Sequence, residues 1–151
     1  ASTAPAGGDA PDQVVIVYAG NGFGSTNVTI RRFTTIQEDT GADITFTQSA
    51  TLGDIFTINT AGLYSITYQD GKGANSGMTF GASVNSSQLN EDIAEITAAD
   101  RLGYVATALS DTVLTFSTTV LLAATDVIRA HTGGTVNRTD ARCRFAIRRV
   151  A

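Results

Sequence analysis

The sequence predicts an all-β protein, an antiparallel sandwich or barrel, and three observations lead to that class. Threonine is the commonest of the 151 residues, glycine occurs 15 times and lysine once, which is a strand-rich composition. Apolar and polar residues alternate with a period of two through most of the chain. Clusters of Gly, Asn, Asp and Ser separate these alternating segments at short intervals, as in sandwiches and barrels.

The chain is long enough for one domain with its own core, preceded by a short arm. Residues 1–13 hold both prolines and no large apolar side chain, so they predict an extended arm. A frayed terminus has the same composition and is the alternative interpretation. Residues 14–151 form the predicted domain, because 42% hydrophobic and 16% charged residues suit a folded chain.

Within the domain we predict eight to ten strands and no substantial helix. The pattern is clearest in Leu63–Tyr68, where Tyr64, Ile66 and Tyr68 share one face and Leu63, Ser65 and Thr67 share the other. We interpret Gly20–Gly24 as a turn, and residues 85–100 as a loop with at most one helical turn. The predicted strands are 14–18, 28–33, 43–48, 54–59, 63–68, 78–84, 101–109, 112–122, 126–132 and 141–150.

The large apolar residues on the inward positions of these strands predict the core. They are Ile16, Phe33, Phe56, Ile58, Tyr64, Ile66, Phe116, Leu122, Ile128, Phe145 and Ile147.

Few residues are suited to catalysis or metal binding, so we expect neither an enzyme nor a cofactor. The single histidine, His131, and the single cysteine, Cys143, exclude an internal disulfide and a zinc site built only from His and Cys. We expect His131 at the surface or an interface and Cys143 as a buried, unreactive thiol. The acidic cluster of Glu91, Asp92 and Glu95 is interpreted as a solvated loop rather than a calcium site.

Charge and hydropathy exclude two classes of partner. A net charge of −4 argues against direct nucleic-acid binding. No apolar run approaches the 18 residues that a membrane-spanning helix needs, so we expect no membrane partner.

Half of the basic residues lie in the last 14 positions of the chain. On a strand, Arg142, Arg144 and Arg148 lie on the face opposite that of Cys143. Two interpretations stay open at this point, a solvated outer face and a contact between subunits, where arginine suits ion pairs. The five basic residues are Arg138, Arg142, Arg144, Arg148 and Arg149.

Several short motifs resemble the jelly roll of the tumour-necrosis-factor (TNF) and complement-globular-head family. One strand, with Phe56 and Ile58, is followed by a turn and then by Gly62-Leu63-Tyr64-Ser65-Ile66. Two apolar strands flank Asp126, and the last strand has Phe145 in its middle. The resemblance covers roughly residues 14–150 and implies an antiparallel, trimer-forming jelly-roll β-sandwich, with another β-sandwich topology as the alternative.

In that family the last strand lies in the sheet that faces the threefold axis, so the resemblance implies a homotrimer. The outward residues of the strand from Leu63 to Tyr68 and of the last strand would then line the interface. They are Leu63, Ser65, Thr67, Arg144, Ala146 and Arg148.

A small chain with this fold and a terminal Cys-Arg-Phe-x-Ile strand is also similar to virion proteins of tailed bacteriophages. That similarity implies a structural protein that decorates the capsid surface, bound to the major capsid protein or another virion scaffold. A trimeric head that binds a receptor or a glycan is the alternative. The arm residues expected to bind the scaffold are Ala4, Pro5, Gly7, Gly8, Asp9 and Pro11.

Overall fold

The computed structural model describes residues 13–73, 77–109 and 111–151, and ten β-strands lie within them. The predicted arm up to residue 12 lies outside the described residues. In chain order the strands are β1 (Val14–Phe23), β2 (Arg31–Thr40), β3 (Ile44–Thr47), β4 (Ile55–Ile58), β5 (Gly62–Lys72), β6 (Met78–Val84), β7 (Arg101–Thr107), β8 (Thr112–Leu122), β9 (Val127–Thr132) and β10 (Arg144–Arg149).

The strands form two antiparallel sheets of five. Sheet A has the order β2-β1-β10-β5-β8, and sheet B has the order β3-β4-β9-β6-β7. The first and last strands therefore lie side by side in sheet A, and successive strands cross repeatedly between the sheets. This is the topology of a TNF-like jelly roll, so the predicted antiparallel jelly-roll β-sandwich is confirmed.

The core lies between the sheets and is formed by the inward residues of both. All of the predicted core residues except Ile16 are buried. Phe145 sits at the centre, with its ring centroid 4.5 Å from that of Phe56 and 5.4 Å from that of Tyr68. Such ring pairs stabilise a core beyond the area that they bury.

The prediction for Ile16 is wrong because of strand register. Ile16 lies opposite Ala146 of β10, while its neighbours Val15 and Val17 point into the core. Since side chains alternate along a strand, Ile16 belongs to the outer face of sheet A and is only half-buried.

The expectation of a turn at Gly20–Gly24 is also wrong. Strand β1 continues to Phe23, and a register shift against β2 between Gly20 and Phe23 takes up the irregularity. Gly22 has a φ of +69°, which an L-residue rarely adopts. The glycines thus form a bulge in a strand, and the chain reverses just after them, where Gly24 N donates to Ile30 O at 3.0 Å.

A buried ion pair closes one end of the sandwich. Arg31 Nε donates to Asp70 Oδ2 at 2.9 Å, and both side chains are almost fully buried. Tyr68 Oη donates to the same oxygen at 2.6 Å, and Cys143 Sγ lies 3.4 Å from it. Burial raises the pKa values of the Tyr68 and Cys143 side chains. The expectation of a buried Cys143 is therefore confirmed.

Residues 85–100, which connect β6 to β7, cover the outer face of sheet B and are called the covering segment below. The segment contains two single-turn 3₁₀ helices, Ile93–Glu95 and Ala98–Asp100, one more than the single turn allowed for by the sequence. Its apolar residues Ile93 and Ile96 are buried outside the central core cluster. They pack between the segment and sheet B.

His131 fastens the covering segment to the sheet, so the expectation of a surface position is wrong. The ring is fully buried, with Nε2 at 2.8 Å from Glu91 O and Nδ1 at 3.0 Å from Ser83 Oγ. Because a carbonyl oxygen only accepts, Nε2 carries the proton and Nδ1 accepts from the serine hydroxyl. Burial lowers the pKa of His131 below its usual 6.5 and keeps the ring neutral.

Candidate assembly surface

Within residues 13–73, 77–109 and 111–151, no segment covers the outer face of sheet A as residues 85–100 cover that of sheet B. The outward positions of β5, β8 and β10 are exposed or half-buried, apart from Gly71. The face is built of short rows across the strands, because residues directly opposite in neighbouring strands point to the same side. One such row contains Val14, Arg148, Ser65 and Thr119.

The structure brings the predicted interface residues together on this face. Ala146 lies opposite Thr67, and Arg148 lies opposite Ser65. The face that carries Leu63, Ser65 and Thr67 on β5 therefore continues directly onto β10. Their common placement follows from the register of two central strands.

Two neighbouring strands add residues that the sequence argument missed. Leu121 of β8 lies opposite Leu63 and is 77% exposed. Val150, just after β10, is 43% exposed, and its backbone N donates to Leu63 O at 2.7 Å. These side chains form an apolar corner of the face. The alternation in β8 was visible in the sequence, but only the register shows that Leu121 lies beside Leu63.

A groove of about 230 Å³ crosses the middle of the face. Its floor is made of short side chains, so another backbone or side chain can approach the sheet closely there. The groove is lined by Val14, Ser65, Thr67, Ala146, Arg148 and Val150. Four of these are among the predicted interface residues.

The electrostatics of the face come from two arginines. Arg144 Nη1 donates to Gln37 Oε1 at 2.6 Å, an uncharged partner. Arg148 forms no ion pair with any described residue and is exposed. Arg149, next along the strand, points elsewhere and binds Asp43 at 2.9 Å. The predicted basic cluster is thus divided, and only two of its members lie on this face.

The predicted scaffold-binding residues of the arm lie outside the described residues, but the point where the arm joins the domain is well defined. Gln13 is 2% exposed, and its Oε1 accepts hydrogen bonds from the backbone N of Ala42 and Asp43, each at 2.9 Å. Arg149 N donates to Gln13 O at 3.0 Å. Gln13 therefore lies beside the C-terminal strand, next to Val14 at the margin of the groove.

The described ranges offer no candidate metal centre. They contain no group of three or more His, Cys, Asp or Glu side chains that could hold a metal ion. In the acidic cluster, Asp92 Oδ1 instead accepts from Ala94 N at 2.9 Å and caps the first 3₁₀ helix. No helix in the same ranges is long and apolar enough to cross a membrane.

Comparisons with known proteins identify the fold. No protein-family model matches the chain, and no curated protein sequence matches it. Among solved structures, murine APRIL at pH 5.0 superposes with a TM-score of 0.62 at 13% identity. Murine APRIL at pH 8.5 and at pH 8.0 gives TM-scores of 0.58 and 0.59, each at 12% identity.

Each of these alignments covers 91% of this chain and 98% of the APRIL chain. APRIL structures are TNF-family structures, and the likeness extends over nearly the whole fold of both proteins. At this identity the comparison establishes the TNF-like jelly roll and its extent along the chain.

Proposed function

We propose that this TNF-like chain is a structural virion protein, a homotrimer that decorates the capsid surface of a tailed bacteriophage. The observation that supports the assembly is the outer face of sheet A, where residues predicted to form an interface lie together around a groove. The virion role rests on the similarity of the terminal Cys143-Arg144-Phe145-Ala146-Ile147 strand to those of phage virion proteins.

The physical argument for assembly is that this face exposes apolar surface to water, which is unfavourable in free energy. Leu121 and Val150 expose much of their apolar surface beside Leu63. Burying apolar area contributes roughly 25 cal/mol per Å². An exposed apolar corner next to a groove floored by Ser65 and Ala146 is typical of a protein-binding surface.

The trimer is tested by light scattering. One chain has a mass of 15.7 kDa, so a homotrimer scatters as about three times that mass. We expect Leu121→Asp to dissociate it, since a carboxylate would be buried at the interface. Leu52→Asp is the matched control, because Leu52 is an exposed leucine in the loop between β3 and β4. A wild-type mass of 15.7 kDa at micromolar concentration would refute the trimer.

The arm provides the proposed attachment. Small residues such as Gly7 and Gly8 allow close approach to another surface, and Pro5 and Pro11 reduce the entropy lost on docking. Three arms per trimer raise the effective concentration of each weak contact, so attachment becomes stable. The proposed partner is the major capsid protein or another virion scaffold.

The proposal includes neither catalysis nor a cofactor. The only imidazole, His131, fastens the covering segment, and the only thiol, Cys143, lies against the buried Arg31–Asp70 pair. The imidazole and the thiol are therefore both buried and take part in contacts within the fold. The proposed location is the capsid surface of the virion.

The attachment is tested with particles that lack this protein. We expect the chain without residues 1–12 to remain a folded trimer but to stop binding such particles. A chain with the same arm residues in scrambled order controls for length and composition. Equal binding by the truncated and full chains would refute the role of the arm. Negative-stain images of native virions distinguish decoration of the capsid from a receptor- or glycan-binding head at the tail.

A further inference from the structure

The bulge in β1 contains the only asparagine of the chain that is followed directly by glycine, at Asn21 and Gly22. The register between β1 and β2 passes from Gly20 to Phe23, so neither bulge residue has a Cα partner in β2. The register with β10, the other neighbour of β1, ends at Tyr18. Asn21 and Gly22 therefore have no register partner on either side, and both are exposed.

The backbone nitrogen of Gly22 is open to its surroundings. Gly22 has a φ of +69°, and no heavy atom beyond its chain neighbours lies within 4 Å of the place where a Cβ would stand. In most residues the side chain crowds the backbone nitrogen, whereas glycine has no such group. Packing therefore does not hinder a reaction at this nitrogen.

The side-chain amide of Asn21 differs from those of the other described asparagines, because it forms no hydrogen bond with any described residue. By contrast, Asn59 Nδ2 donates to Ala42 O at 2.9 Å, and Asn90 Oδ1 accepts from Val28 N at 2.8 Å. The amides of Asn27, Asn85 and Asn137 are held by hydrogen bonds in the same way. The Asn21 amide is thus free to rotate toward the nitrogen that follows it.

We infer that Asn21 is a site of spontaneous deamidation, in which the backbone nitrogen of Gly22 attacks the side-chain carbonyl carbon of Asn21. The new N–Cγ bond closes a succinimide ring, the Cγ–Nδ2 bond breaks, and Nδ2 leaves as ammonia with the proton from Gly22 N. Water then opens the ring at either carbonyl and leaves aspartate or isoaspartate at position 21. Asparagine is among the thermolabile residues of proteins, and the reaction needs no enzyme.

The product changes the bulge in both charge and length. Each event adds one negative charge to a chain whose net charge is −4. Isoaspartate also adds one carbon to the main chain just before Gly22, whose carbonyl oxygen accepts from Arg31 Nη1 at 3.2 Å. Because Arg31 also forms the buried pair with Asp70, the modification acts on the contacts that close this end of the sandwich. The modified fraction records the age of the protein, and this inference does not depend on the proposed function.

Peptide mapping by mass spectrometry tests the site in the native, full-length protein, kept at physiological temperature and mildly alkaline pH. We expect Asn21 to be converted at least about tenfold faster than Asn59 or Asn90, with both aspartate and isoaspartate as products. Gly22→Ala should slow the reaction by a similar factor, because the added Cβ crowds the attacking nitrogen. Circular dichroism verifies that this variant is folded. If it is not, Asn21→Gln leaves Gly22 in place and should abolish the loss of ammonia at position 21.

A matched control separates the effect of the bulge from that of the dipeptide. Glu91→Gly changes an exposed residue and places glycine after Asn90, whose Oδ1 is held by Val28 N. In the folded protein we expect this site to react at least about tenfold slower than Asn21, and in urea at a comparable rate. Equal rates in the folded protein would overturn the role of the bulge. Absence of reaction at Asn21 in the native protein would overturn the inference as a whole.

Discussion

The two outer faces of this sandwich differ in how far the described chain covers them. On sheet B, the covering segment buries Ile93 and Ile96 and binds His131 through the carbonyl oxygen of Glu91. On sheet A, the corresponding surface retains exposed Leu121 and an open groove around Arg148. Both sheets have five antiparallel strands, so the strands themselves do not account for the difference.

The difference lies in one connection. Residues 85–100 join β6 to β7, neighbouring strands that a short hairpin could have joined. The extra length is used to cover sheet B with the chain's own apolar residues. Sheet A receives no such connection among the described residues. The strands therefore determine the core, whereas this connection determines which outer face is covered.

The largest expected effect comes from a pair of truncations, one on each face. Ile93→Ala should lower the free energy of unfolding by about 2–5 kcal/mol, because it leaves a cavity under the covering segment. Its effect should not depend on protein concentration. Leu121→Ala should cost little in the monomer, and its cost should grow with concentration, as expected for a subunit contact. Urea titrations at several protein concentrations measure the free energy of unfolding of each variant. If the two losses depended on protein concentration to the same extent, the proposed difference between the two faces would be contradicted.

Acid should weaken the covered face through His131. The folded-state pKa is lowered by burial, so below pH 6.5 the unfolded chain binds a proton that the folded chain does not. Stability therefore falls as the pH drops from 6.5 toward the folded-state pKa, by up to about 1.4 kcal/mol per pH unit. We expect His131→Asn to flatten this slope between pH 7 and pH 5.5. An unchanged slope would assign the effect to carboxyl groups.

The cap of the first 3₁₀ helix contributes a smaller amount. Asp92→Ala removes the acceptor for Ala94 N and should cost about 1 kcal/mol. Glu95→Ala, on the same short helix, is the control and should stay within about 0.5 kcal/mol of wild type. Thermal unfolding by circular dichroism measures the difference. Equal values would contradict a stabilising role for this cap.

The smallest expected effect concerns Cys143, which lies just before β10, the strand that carries Arg144 and Arg148 on the open face. The thiol is buried, and burial raises its pKa, so native protein should react with a thiol reagent only as fast as it unfolds. Denaturant should accelerate the reaction in parallel with unfolding. Rapid labelling of native protein would mean that the open face of sheet A gives access to the core.

Period-two alternation predicted ten strands and nearly all of the core, but it ended the first strand at residue 18 and placed the second at 28–33, where the structure has Val14–Phe23 and Arg31–Thr40. Tyr64 and Ile66 are buried and Thr67 is exposed, as the alternation in β5 predicts. The same reasoning wrongly placed Ile16 in the core. Nearly every residue in Val14–Tyr18 is apolar, so alternation does not identify the inward side of this strand. Only the pairing with β10 decides it.

The buried polar contacts could not be predicted from local sequence patterns, because their partners are far apart along the chain. Arg31 and Asp70 are 39 residues apart, and the sequence offers no signal that they meet. His131 likewise depends on Glu91 and Ser83, which other elements bring to it. The residues on the outer face of sheet A were identified in part because its two central strands each show a small, outward series of residues. Leu121 was missed because its place beside Leu63 is a matter of register.

The neighbouring positions of β1 and β10 have a practical consequence for how the molecule could be re-engineered. Gln13 and Arg149 are joined by a backbone hydrogen bond, so the two ends of the domain lie within a few ångströms of each other. A short linker could join them, and new ends could be opened at the exposed turn between β8 and β9. For the same reason the domain could be inserted whole into a surface loop of another protein without stretching its host. Any cargo fused at residue 151 would lie close to Gln13, because Arg149 N donates to Gln13 O.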